Sequence, residues 1–460
     1  MKNLGLALLL GITGLLIYSC EPVEEQISGS GSINLHFSTD TVIFDTLLTA
    51  RTSITKRLRI FNPSKKAVSI SSIRLGKGES SPYSIIVNGK FGTEIEDEVL
   101  FGGDSLLVLV DVEIDPQDIN LPYIVKDSVV VDWNGNSGHV KLVAWGQDAN
   151  FINGEIICDQ TWTADRPYVI YDGILVDSLC TLTIQPGARI YLDNEAAVFV
   201  KGTLKVLGDS SNRVVFRNTR FDENYKIAPG QWDAIYFLEG SKNNEIRYAD
   251  LENGTQGLRM GTPDDDTDYD LVVANASIRH MSQTGIQSYT SDLLVENTEI
   301  FNCGNFTVVN ALGGYYRYEH CTFSNIGSYF INEDPSFYFT DELEIEQNQF
   351  LYGDIDVLIR NSIIWGPNDE ELFFEASGNA NFTLEMSSNI IKSEQDFGTT
   401  NYTSTENDFP GFVDPFEFNF RLDSLSFARD KGEDLGYEFD VLGIPRDDKP
   451  DIGAHERVDR

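Results

Sequence analysis

From Ser32 to about Asp148 the chain alternates apolar and polar residues over short runs. Ile33, Leu35 and Phe37 fall on one side, with Asn34 and His36 between them. The stretch "RLRIFNPSKKAVSISSIRL" supplies Leu58 and Ile60, a turn at Asn62-Pro63-Ser64, and then Val68, Ile70 and Ile73. "SLLVLVDVEI", "SVVVDW" and "HVKLVAWG" follow, bounded by Gly or Asp. Runs of period two with no helical period predict about seven short strands, an antiparallel β-sandwich over residues 32–148.

Past Asn150 the pattern becomes a repeat. "VVANASIRHMSQTGI", "LLVENTEIFNCGNFT" and "YYRYEHCTFSNIGSY" share an apolar-x-polar-x-x-apolar frame. The frame puts Val273, Val295 and Tyr318 in one column, Asn275, Asn297 and His320 in a second, and Ile278, Ile300 and Phe323 in a third. Tyr248 with Leu251 precedes this frame; Asn361 with Ile364 and Ser388 with Ile391 continue it after longer loops. A period of ~22 residues predicts a solenoid of three short strands per coil, since a propeller blade takes ~40. Coils would stack at ~4.8 Å with apolar columns inside. Asparagine suits the corners because it tolerates left-handed backbone geometry.

This half resembles the right-handed parallel β-helix family, the pectate-lyase-like fold, over roughly residues 150–456. "TWTADRPYVI" with "LTIQPGARIYL" is similar to the family's opening coils, with Pro186-Gly187-Ala188 as the turn, and "GTLKVLGDSSNRVVF" and "PGQWDAIYF" with Trp232 follow in order. "DVLGIPRDDKPDIGAHE" resembles its closing motif, with Asp451 to Ala454 and Glu456. The order of strands in residues 32–148 resembles the immunoglobulin-like domains of bacterial surface proteins, which serve as spacers or adhesive units. The resemblance implies an all-β protein of two domains. It implies little about activity, because the β-helix fold carries lyases, hydrolases and adhesins.

The N-terminus bears on location. Lys2 precedes an apolar stretch from Leu4 to Ile17, too short for a membrane span and laid out as a secretory h-region. Ile17-Tyr18-Ser19-Cys20 resembles a lipoprotein lipobox, which implies a signal peptide over residues 1–19 and a lipidated Cys20. Glu21, Glu24 and Glu25 resemble the export tags of Bacteroidetes lipoproteins, although a solvated tether over 20–31 would look the same. The expected location is the outer membrane, exposed at the cell surface, with a periplasm-facing display as the alternative.

Composition narrows the partners. Seventy-two acidic against 34 basic side chains give a net charge of −38, which repels nucleic acid and anionic lipid. Cys158 and Cys180 lie one coil length apart and are expected as a disulfide or a close stack; Cys303 and Cys321 occupy different frame positions and are expected as separate buried thiols. No HExxH, GxSxG or phosphate-binding loop is present.

Three groups remain as candidate sites. Asp264, Asp266, Asp268 and Asp270 alternate in "PDDDTDYD" and could hold calcium, or could simply form an acidic loop. Asp250, Glu296, Glu299 and Glu319 are outward strand positions from which a hydrolase pair could be drawn. Tyr315, Tyr316, Tyr329, Phe337 and Tyr338 crowd an insertion that breaks the period, and aromatic faces stack on sugars. The expected function is a lipid-anchored glycan- or protein-binding β-helix without catalysis; the alternative is a polysaccharide lyase or glycoside hydrolase.

Overall fold

The computed structural model describes residues 26–49, 53, 55–261, 268–327, 330–406 and 409–457. It divides into two compact units, residues 1–148 and 149–460. Cys20, Asp264, Asp266 and Tyr329 lie outside the described residues.

The first unit is a sandwich of a six-stranded and a five-stranded sheet. Alternation places Ile70, Ile73, Val129 and Val131 from one sheet against Ile60, Val108 and Ile85 from the other in a single core. The number of strands exceeds the seven expected, and two pairings are parallel rather than antiparallel. Thr41–Leu48 runs parallel to Lys141–Gln147, and Ile27–Ser28 parallel to Ala67–Val68. The second pairing takes part of the expected tether into the sheet.

The second unit is a β-helix-like solenoid built on a 25-stranded parallel sheet. Each coil contributes to three columns. The first runs through Ile190, Phe216, Leu251, Ile278, Ile300, Phe323, Ile364 and Ile391 in unbroken register. The second passes through Val198, Ile235, Leu258, Ile286, Val308, Phe337 and Leu372. The third passes through Ile184, Val206, Ile246, Val273, Val295, Tyr318 and Ile359. These side chains form one continuous core, and each fully buried Leu, Ile or Phe contributes about 1.5–3 kcal/mol.

The corner between the third and first columns is a ladder of left-handed residues. Tyr248, Asn275, Asn297, His320, Asn361 and Ser388 have φ between 43° and 54°. Half of them are asparagine, the non-glycine residue that enters this region at least cost. At the opening end, Cys158 and Cys180 are disulfide-bonded with Cα atoms 4.7 Å apart. They follow the register that pairs Gln160 with Leu182 on neighbouring coils. Cys303 and Cys321 are buried free thiols.

The C-terminal segment runs back along this ladder and hydrogen-bonds its asparagines. Asn361 exchanges two hydrogen bonds with the Glu433 backbone, at 2.8 and 2.7 Å. Tyr437 packs edge-on to His320, Asn275 donates to the Asp440 carbonyl, and Arg446 donates twice to Asn297 Oδ1. The Arg446–Glu456 ion pair beneath is buried, with side chains 2% and 3% exposed.

Candidate functional site

The outward face of the second column carries an ordered row. Between each pair of buried neighbours one side chain points out: Phe199 in Ala197–Val200, Tyr236 in Ile235–Phe237, and Tyr338 in Phe337–Thr340. Register links Phe199 to Tyr236, Arg259, Gln287, Val309, Tyr338 and Phe373 in sequence. Six steps of ~4.8 Å give a platform about 29 Å long. Its two ends are aromatic. Phe199 and Tyr236 stack at 5.2 Å with planes 17° apart, and Tyr338 and Phe373 stack at 5.8 Å and 7°. Arg259 sits 5.7 Å from the Tyr236 centroid, and the middle of the row is polar through Gln287.

Side-chain hydrogen bonds fix the aromatic rings. Tyr236 donates to Asp233 Oδ2 at 2.9 Å and Tyr338 to Glu375 Oε2 at 3.1 Å. Burial and then these carboxylates push both phenols above their ordinary range, so both stay neutral donors. The insertion that breaks the period is an antiparallel hairpin, Glu342–Glu346 with Gln349–Tyr352. It walls a cavity of about 360 Å³ lined by Tyr289, Val309, Tyr338, Glu342, Glu344 and Phe350 among others. Phe350 is an exposed aromatic of that cavity, with Glu342, Glu344 and Glu375 around it, and Phe373 is exposed on the row beside Tyr338.

The aromatic group expected from sequence is thus divided. Tyr338 belongs to the row. Tyr316 and Phe337 do not: both are fully buried core residues, stacked on Leu293 and Val308 of the preceding coil. Tyr315 lies on the outer face of the third column, in register with Asp292 and Asp356 and covered by Arg317. Phe199, Tyr236 and Phe373 were missed, because loops of unequal length hide their common register. The available signal was the recurring apolar–aromatic–apolar triplet.

The acidic candidates also separate. Asp270 is buried, and its carboxylate accepts the Asp292 backbone N–H at 2.9 Å, which makes it a turn residue. Among the described residues no group of three or more His, Cys, Asp or Glu is placed to hold a metal ion. Asp250 and Glu299 share the outer face of the first column, with Ser277 between them. Glu296 and Glu319 share that of the third. Each has a basic partner: Arg213 and Arg279 on Asp250, His455 on Glu299, Arg247 on Glu296 and Arg360 on Glu319. Burial would raise the Glu299 carboxyl, but hydrogen bonds and charge from His455, then Arg279 and Ser277, hold it at about 2. A glycosidase acid must be protonated near neutral pH, and Glu299 is held in the opposite state.

No protein-family model matches this sequence, and no curated protein does. Among solved structures, PapD-like domain 7 of human CEP192 is 12% identical over 29% of this chain and 97% of its own length, with a TM-score of 0.18. The E. coli chaperone DraB is 14% identical over 24% of this chain and 54% of its own, also at 0.18. A family 123 glycoside hydrolase from Clostridium perfringens is 7% identical over 27% and 30%, again at 0.18. At these scores none of the likenesses bears on function.

Proposed function

We propose that this chain is a lipid-anchored surface protein that binds glycan chains along the outer face of the second column, without catalysis at that face. The observation that carries this reading is the register-locked row from Phe199 to Phe373, aromatic at both ends with Arg259, Gln287 and Val309 between. Sugar rings present apolar faces for stacking and hydroxyls for side chains such as Gln287 and Arg259, and a rigid coil scaffold costs little ordering entropy on binding. Carboxylates beside Tyr338 and a net charge of −38 favour neutral over anionic glycans. Anchoring is supported by the apolar stretch from Leu4 to Ile17 ending at Cys20, and by the acidic residues after it. The test is a glycan array probed with the soluble chain from Glu21 onward, followed by titration of the best ligand against a Tyr338→Ala variant.

A further inference from the structure

The three columns of the solenoid end at different levels. The third takes one step past Ile359, to Met386 on the strand Phe382–Ser387, and the second ends at Leu372–Glu375. The first goes further, because Ile390–Lys392 pairs onward with Tyr402–Ser404. Only nine residues, 393–401, join these last two strands, where a full coil takes ~22. So short a connection lays no further strand on the other two columns.

Among the described residues, Phe382–Ser387 pairs along one edge alone, with Ile355–Arg360. On that edge the Asn381 and Ser387 carbonyls accept from the Ile355 and Asn361 N–H groups. Alternation therefore turns the backbone groups of Phe382, Leu384 and Met386 to the other edge. There the Met386 carbonyl accepts from Asn401 Nδ2 at 3.1 Å. The N–H and C=O groups of Phe382 and Leu384 form the open part of this edge.

The inward side chains at this end are incompletely covered. Ile355, Val357 and Ile359 are at most 2% exposed, whereas Phe382, Leu384 and Met386, stacked on them, are only partly buried. Phe374, stacked on buried Phe339, is 36% exposed even with Phe397 of the short connection packed 6.5 Å away. Proteins blunt open strand edges with proline, a bulge or an inward charge. This strand has none of the three, and its six pairs with Ile355–Arg360 run without a break.

We propose that this edge is an interaction surface, on which an extended segment of a partner protein adds a strand as the next step of the third column. The segment's backbone pairs with Phe382 and Leu384, and its alternate apolar side chains cover Phe382, Leu384 and Met386. Charge defines the partner further. Residues 366–406 hold eight carboxylates and one basic side chain, Lys392, which is buried. Thr383 and Glu385 are exposed on the strand's outer face. The segment therefore alternates apolar residues with basic ones, which lie beside Glu385. A second copy of the chain, carrying the same net charge of −38, is a poor match.

The test uses the chain from Glu21 onward and a fluorescein-labelled octapeptide alternating valine and lysine, read by anisotropy at physiological ionic strength. One control peptide carries the same valines and lysines in two blocks, and another is the alternating peptide with its backbone N-methylated. Leu384→Pro removes an N–H from the open edge and none from the pairing with Ile355–Arg360, and Glu385→Lys reverses the charge beside it. Thermal melting checks both folds, and the N-methylated peptide tests the same backbone pairing without altering the protein. The expected result is saturable binding of the alternating peptide, weakened tenfold or more by each substitution, by N-methylation and by the block arrangement. Equal binding of all three peptides would overturn the proposal, since charge alone would then attract them. So would an affinity unchanged in folded Leu384→Pro, or no binding at all. Wild-type chain that dimerises in sedimentation and ignores the peptide, with Leu384→Pro monomeric, would overturn the basic partner in favour of a second copy.

Discussion

Asn297 holds Arg446, 149 residues further along the chain, through two hydrogen bonds of 3.1 and 2.9 Å to one side-chain oxygen. A corner residue of the coil is thereby tied to the segment that closes the solenoid. The same guanidinium reaches Glu456 and the carbonyls of Asp451 and Gly453. Removing Arg446 leaves Glu456 buried without its partner, which costs about 3–5 kcal/mol. Asn297→Ala leaves guanidinium N–H groups unmet and costs about 1–3 kcal/mol. Chemical denaturation should rank wild type above Asn297→Ala and Asn297→Ala above Arg446→Ala; equal midpoints would show that the closing segment adds no stability.

Acid should act through Glu299. Its folded value, about 2, lies below that of a carboxyl in an unfolded chain, ~4.3. A depressed carboxyl contributes stability that is present above the unfolded value and is lost as pH falls toward the folded one. The wild type should therefore lose stability between about pH 4.5 and 2 more steeply than Glu299→Gln. Parallel melting curves of the two across this window would remove Glu299 from the account.

The opening coils carry a different constraint. The Cys158–Cys180 bridge closes a loop with a separation of 22 residues, for which chain entropy gives about 3 kcal/mol. Thiol titration of the denatured chain from Glu21 onward should find two free groups, Cys303 and Cys321, and four after reduction. Reduction should lower the unfolding midpoint, and four thiols without reductant would show that the bridge does not form.

Much of this architecture was legible in the sequence, and particular residues show why. The Val273, Asn275 and Ile278 frame is a spacing rule that coil stacking imposes, so three adjacent coils disclose it. Cys158 and Cys180 obey the same spacing. Tyr316 is two residues before Tyr318 and therefore shares its inward face, a consequence of strand alternation that the crowding of aromatics obscured. Phe337 could not be assigned, because the loop before it resets the phase. The parallel pairing of Thr41–Leu48 with Lys141–Gln147 joins segments far apart in the chain, and local pattern does not report such partners. The row from Phe199 to Phe373 was hidden for the related reason that each coil inserts loops of its own length.

Anchoring makes its own prediction. Cys20→Ala should block cleavage at the lipobox or release the protein from the membrane fraction, as read by fractionation and by mass spectrometry of the N-terminus. Shaving intact cells with protease then separates surface from periplasmic display. An alanine variant that matures normally and stays membrane-bound would contradict lipid attachment at this residue.

Binding along the second column is decided by one titration. The best oligosaccharide from the array is titrated into wild type, Tyr338→Ala, Phe373→Ala and Tyr315→Ala. Tyr338 and Phe373 stack within the row, and Tyr315 lies on another face. Loss of one stacking ring should weaken binding roughly tenfold, about 1.4 kcal/mol, in each of the first two variants and leave Tyr315→Ala at the wild-type affinity. Wild-type affinity in Tyr338→Ala and Phe373→Ala, or no glycan bound by the intact chain, would contradict the account.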